Sequence, residues 1–252
     1  MEALWNTLVV LFPTLVTGVI LTIVISVLAG ILAIIIAIPA GLGRLSQVSV
    51  VRAISAFYVE TIRGTPLLFQ LLIWVYGIQI VLVKLFGFNP DQLVYGLLTA
   101  LNSNTLFPSA GISALFFGIV GLGVNYSAYM AEVIRAGVLA VEHGQTEAAL
   151  SLGLSRGQTT RFIILPQAFR IMIPPLTNNF ITLVQDSAFL GVIAVYQIEL
   201  VIQTAVQANT TGIIRWGLYI VELALYFVMC YPLALISRRT ERRSEQTIAG
   251  AH

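Results

Sequence analysis

Long apolar runs broken by short polar segments set the pattern of this chain. No charge occurs between Glu2 and Arg44. Within that stretch residues 8–38 are long enough to cross a bilayer with tilt, since about 20 apolar residues suffice. A second span is predicted over 65–86, entered through the turn Arg63-Gly64-Thr65-Pro66. A third covers 112–138 and follows a loop over 89–111. A polar stretch over 142–166 comes next. A fourth span runs over 168–185, with Pro174 and Pro175 near its start, and a fifth over 216–236. The fifth stops at Ser237-Arg238-Arg239-Thr240-Glu241-Arg242-Arg243. Between them, Glu199, Gln203, Gln207 and Asn209 interrupt the apolar residues of 191–212. That segment reads as a short helix at the outer surface or a cap over a pore, not a sixth span. No repeat of 20–50 residues is visible, so the pattern predicts one all-α integral membrane domain over 1–252.

Composition agrees. The chain has 252 residues, 58% hydrophobic and 10% charged, against roughly 25% charged in soluble domains. A net charge of +2 is too small to imply nucleic acid. Cys230 is the single cysteine and reads as a small buried hydrophobe; His143 and His252 lie far apart, and no metal site is predicted. The opening residues MEALWNTL lack a basic region, so no cleaved leader is expected. Charge placement predicts orientation. With five spans and the C-terminus inside, eleven of the thirteen basic residues fall on the cytoplasmic side, leaving Lys84 and Arg215 outside.

The polar stretch has internal structure. Thr146 to Leu152 is rich in helix formers, and Glu147 is expected in the first turn, where an acid suits the helix dipole. Gly153 interrupts it, at about 1 kcal/mol if placed mid-helix. Ser155 with Gln158 three residues on predicts a capping box for a second helix, expected to end at Leu165-Pro166. Helix, bend, helix and break suit a mechanical coupler; a solvated amphipathic loop fits the same residues.

Polar groups inside the predicted spans form a second set of candidates. Ionisable residues at mid-bilayer cost roughly 2.5–3.5 kcal/mol on insertion scales, so they face a cavity or a partner. Asn125, Tyr129 and Glu132 share one helix face by spacing, continued by small Ala136. Asn178, Thr182 and Gln185 share another, with Asp186 beside it, and Glu222 interrupts the fifth span. These residues either line a translocation cavity or hydrogen-bond between helices; Arg135 also stands three residues after Glu132 as an ion-pair partner. No Lys or Arg sits mid-membrane, which favours a basic or neutral polar solute over an acidic one.

Several blocks carry a family resemblance. Glu147-Ala148-Ala149, then Gly153, then Ile164-Leu165-Pro166 is similar to the signature of ATP-binding-cassette (ABC) importer permeases. Residues 58–68 (YVETIRGTPLL), 128–137 (AYMAEVIRAG), 165–170 (LPQAFR), Tyr231-Pro232-Leu233 and Glu241-Arg242-Arg243 resemble the polar amino-acid branch. Three positions depart from it. Glu142 and His143 stand where the family often has proline and lysine, and Gln185 where it often has lysine. The resemblance implies a type I ABC importer permease fold with five transmembrane helices, N-terminus outside and C-terminus cytoplasmic. It implies a multi-pass protein of the bacterial inner membrane, pairing with a second permease subunit, the same chain or a homologue. ABC ATPase subunits would grip the coupling loop 142–166 through Glu147, Ala148, Ala149, Gly153, Leu165 and Pro166. An extracytoplasmic solute-binding protein would deliver the amino acid. No phosphate-binding loop of the G-x-x-x-x-G-K-[ST] type is present, so ATP and magnesium belong to the partner. An ion-coupled secondary transporter using Glu132, Asp186 or Glu222 is the alternative.

Overall fold

The computed structural model describes residues 2–87 and 112–249, and every regular element among them is helical. The elements are α1 (Glu2–Gly43), α2 (Ser49–Arg63), α3 (Leu67–Phe86), α4 (Ile112–Leu139), α5 (His143–Ser151), α6 (Arg156–Thr159), α7 (Leu165–Asp186), α8 (Phe189–Val192), α9 (Ile198–Ala208) and α10 (Gly212–Ala249). The loop expected over 89–111 lies outside the described residues.

Among the described residues, four helices are long and apolar enough to cross a membrane: α1, α3, α4 from Ala114, and α10 as far as Glu241. These helices overlap the first, second, third and fifth predicted spans in sequence. The 22 residues of α7 reach about 33 Å at 1.5 Å per residue. Gln167, Arg170, Asn178 and Asn179 dilute its hydropathy. The 11 residues of α9 reach only about 16 Å, short of a hydrocarbon core of roughly 30 Å.

Helix ends show why the chain turns where it does. Gly87 closes α3 at φ 61°, a left-handed conformation that costs glycine nothing, and its N–H donates to Val83 O at 3.1 Å. Inside α3 a π-helical segment covers Ile73–Ile78. Helix α2 was not expected from the sequence. Its mixture of charges and apolar residues forms a two-faced helix with Val59 fully buried and Phe57 exposed. Pro174 and Pro175 lie within α7 rather than near its start, because the helix begins earlier than predicted.

Contact density divides the chain into two compact units. The first draws on Met1–Leu32, Thr65–Asn125 and Thr182–Cys230. Its apolar core joins α1, α9 and α10 through Leu15, Ile198, Val201, Ile202, Ile214 and Leu218. Beside that core, Gln197 Oε1 accepts from Tyr226 Oη at 3.1 Å and Glu199 N at 3.2 Å, with Thr22 Oγ1 also at 3.2 Å.

The second unit draws on Ala33–Gly64, Tyr126–Ile181 and Tyr231–His252. Here small residues let helix backbones meet. A Cβ built on Gly41 of α1 would stand 2.6 Å from the Ala131 carbonyl oxygen of α4. That oxygen is backbone and cannot rotate away. Overpacking of this kind costs typically 1–3 kcal/mol. Gly41→Ala should therefore lower the melting midpoint of the purified protein by roughly 3–10 °C. A midpoint within 1 °C of the parent would show that α1 and α4 separate without cost.

Candidate functional site

The polar stretch folds as helix, bend and helix, with three differences from expectation. First, α5 begins at His143, so Glu147 lies in its second turn rather than its first. Residues 143–145 extend the helix upstream of Thr146, and Glu142 marks its start with an extended ψ of 135°. Glu147 and Ala148 are exposed, whereas Ala149 is 4% exposed and anchors the helix.

Second, Gly153 is not a weak point inside a helix. It sits just past the end of α5 at φ +86°. Its N–H donates to Leu150 O at 3.0 Å, and Leu154 N–H donates to Ala149 O at 3.2 Å. This pair of bonds is the Schellman closure, which needs a left-handed residue and favours glycine there. The glycine shapes the bend instead of weakening a helix.

Third, the chain does not break at Leu165-Pro166. A capping box opens α6 as expected: Gln158 N–H donates to Ser155 Oγ at 3.3 Å, and Ser155 N–H to Gln158 Oε1 at 2.9 Å. The π-helical turn Thr160–Ile164 then leads directly into α7. A proline ring clashes with the carbonyl four residues before it. For Pro166 that residue is Phe162, which lies inside the wider π turn, so the helix continues.

In the second unit Glu132 sits among arginines. Arg44 Nη1 donates to Glu132 Oε2 at 3.0 Å, and Arg135 Nε donates to Glu132 Oε1 at 2.9 Å. Arg44 also reaches Glu60, at 3.4 Å. The Arg63 guanidinium lies 5.4 Å from the Tyr129 ring centroid, within cation–π range. Tyr58 of α2 and Ser127 of α4 share a hydrogen bond at 2.5 Å. Burial pushes the Tyr58 phenol above its ordinary range, and that bond opposes the shift. Asn178 Oδ1 accepts from Ser237 Oγ at 2.9 Å.

In the first unit Asn125 is buried, and its amide donates to Gln70 Oε1 at 3.0 Å. Gln70 in turn donates to Thr65 Oγ1 at 2.7 Å. Thr182 is exposed and Asp186 half-buried. Glu222 is 9% exposed and meets the carboxyl of Glu199 on α9. Nothing in the sequence singles out Arg44, Glu60, Gln70 or Gln197 as partners. Their contacts join distant segments, and no spacing along the chain announces them.

Comparison with known proteins assigns the fold and role. Residues 32–246 match the family model described as "Binding-protein-dependent transport system inner membrane component". The L-cystine transport system permease TcyB of Bacillus subtilis is 34% identical over 238 residues, 94% of this chain and 89% of that protein. The arginine transport system permease ArtQ of the same organism is 31% identical, covering 92% of each. The glutamine permease GlnP of Escherichia coli is 30% identical, covering 95% of this chain and 96% of that one. A crystal structure of an amino acid ABC transporter with histidines superposes with a TM-score of 0.76 at 32% identity, over 94% of this chain and 97% of the other. These matches leave no place for an ion-coupled secondary carrier. The all-helical fold, the inner-membrane location, the lack of catalysis and an ATP site on a separate subunit follow together. The chain belongs to the binding-protein-dependent transport system inner membrane components, as the permease subunit of an amino-acid ABC importer.

Proposed function

We propose that residues 1–252 form a single permease domain that crosses the membrane five times, with α7 as the fourth span, the N-terminus outside and the C-terminus in the cytoplasm. The 142–166 segment engages the ATPase through Glu147, Ala148, Ala149, Gly153, Leu165 and Pro166. Asn125, Tyr129, Asn178, Thr182, Asp186 and Glu222 border the pathway. Glu132, with its two arginines, serves to hold helices together. A second permease copy or homologue completes the pathway, and a solute-binding protein loads it. The carried solute is a basic or neutral polar amino acid.

The observation that carries the coupling role is the α5–α6 geometry. A Schellman bend followed by a capping box presents Glu147 and Ala148 on a short helix of defined angle. Charge placement supports the orientation: with the C-terminus inside, eleven of the thirteen basic residues fall on the cytoplasmic side and only Lys84 and Arg215 fall outside. The excess of cations marks the cytoplasmic side.

Cysteine accessibility tests both points in a Cys230→Ala background. Leu85→Cys should react with an impermeant maleimide in intact cells, and Ser151→Cys only in inverted vesicles. Bound ATPase should slow the second reaction. The opposite sidedness overturns the orientation, and labelling that ignores the ATPase overturns the docking role.

A further inference from the structure

Within the first unit, a cleft of about 480 Å³ opens along one side of α10. Gln185, Tyr219, Glu222, Tyr226, Phe227 and Cys230 line it. This volume lies in the range of small-molecule sites, roughly 300–1,000 Å³, and is far larger than a bare metal ion needs.

Its chemistry is uneven. Most of the wall is apolar or aromatic, and among the described residues Glu222 is the one acidic side chain lining it. Glu222 is itself 9% exposed, so its carboxyl sits within the wall rather than out in solvent. Behind it stands the carboxyl of Glu199, within hydrogen-bonding reach. Glu199 is held in place by Gln203, whose amide donates to it at 2.7 Å. Gly191 leaves room for it, since a Cβ there would stand 2.8 Å from Glu199 Cβ. Two neighbouring carboxyls, with no Lys or Arg along the cleft among the described residues, give this wall an acidic character that an organic cation offsets. Tyr219, Tyr226 and Phe227 add ring faces, which attract an organic cation electrostatically. Neither an acidic nor a purely apolar solute suits that combination.

We propose that this cleft is a cation subsite that takes the charged end of a basic amino acid during passage, with Glu222 as its direct contact and Glu199 as the residue that positions it. The inference rests on placing Glu222 beside the pathway, and it narrows the solute from basic or neutral to basic.

L-arginine and its uncharged isostere L-citrulline are the probes, used with the purified permease–ATPase complex in nanodiscs. Arginine should bind about tenfold more tightly or better, as a charge-assisted contact implies. Glu222→Gln should bring the two ligands within about twofold, and Glu222→Asp should restore part of the difference. Tyr219→Leu, which leaves every carboxyl in place, should lower the ratio by a few-fold. Equal binding of the two ligands, or a ratio that survives Glu222→Gln in a folded complex, overturns the proposal.

A labelling experiment separates this from the pathway reading. Leu223→Cys, in a Cys230→Ala background, places a thiol in the cleft wall. Reaction with a water-soluble methanethiosulfonate that arginine slows and citrulline does not supports the subsite. Reaction that arginine leaves unchanged overturns the subsite while the pathway reading stands. No reaction at all removes the cleft from the pathway, and the subsite with it.

Discussion

Glu147→Arg is expected to abolish ATP-driven uptake while leaving the permease inserted and folded. Glu147 is exposed on α5, and Ala149 two residues on supplies the buried anchor. Changing the acid touches none of that packing, and surface substitutions of this kind usually stay within about 0.5 kcal/mol of neutral. Docking is a different matter. Breaking a hydrogen-bonded charge pair at an interface costs about 2–5 kcal/mol, and reversal adds repulsion. A loss of 2 kcal/mol already weakens association by roughly 30-fold. The variant should appear in the membrane at parental levels, lose its ATPase on purification, and transport nothing above background. Glu147→Gln should fall between the two. Normal ATP-driven uptake by the arginine variant would remove Glu147 from the coupling surface.

The long apolar helices were legible in the sequence for a physical reason. Lipid demands about 20 apolar residues in a row, and α1, α3, α4 and α10 meet that demand openly. Helix α7 meets it in length only, since Arg170 and its asparagines weaken the signal. Local chemistry was legible where it depends on neighbours. The capping box at Ser155 and Gln158 needs only residues three apart. Gly153 is plain in the sequence, but its place relative to the helix end is not. Glycine weakens a helix interior and favours the position just past its end, and only the backbone decides between them. Pro166 misled for a related reason. The usual rule assumes an α-helical turn before the proline, and here a π turn stands there instead.

Long-range polar partners were hidden. Arg135 could be assigned to Glu132 because it lies three residues on. Arg44 is 88 residues away, and its approach depends on how α1 meets α4. Glu199 and Glu222 sit on different helices in the same way, so the sequence showed an acid in a span without the acid that faces it. Helix α2 escaped because a short amphipathic stretch between spans resembles a polar connector until its buried Val59 is known.

Glu132→Ala is expected to be the most destabilising polar substitution in the second unit. Removing the carboxylate leaves the guanidiniums of Arg44 and Arg135 facing one another across the space it occupied. Their side chains are 18% and 30% exposed, and that of Glu132 is 23% exposed, so solvent reaches the cluster only in part. Breaking a fully buried pair costs about 3–5 kcal/mol. Partial exposure screens the charges, which lowers the expectation to about 2–3 kcal/mol, or a melting midpoint roughly 5–10 °C below the parent. Glu60 offers Arg44 little relief, being 70% exposed and 3.4 Å away. Arg135→Gln should be milder, because Glu132 keeps Arg44. Adding Arg44→Ala to Glu132→Ala should recover part of the loss, since it removes one of the stranded cations; that non-additivity reports their coupling directly. Glu132→Gln separates the structural role from a solute-binding one. A structural carboxylate predicts a lowered midpoint with unchanged selectivity among amino acids in the variant that still assembles. Altered selectivity at an unchanged midpoint would place Glu132 on the pathway instead.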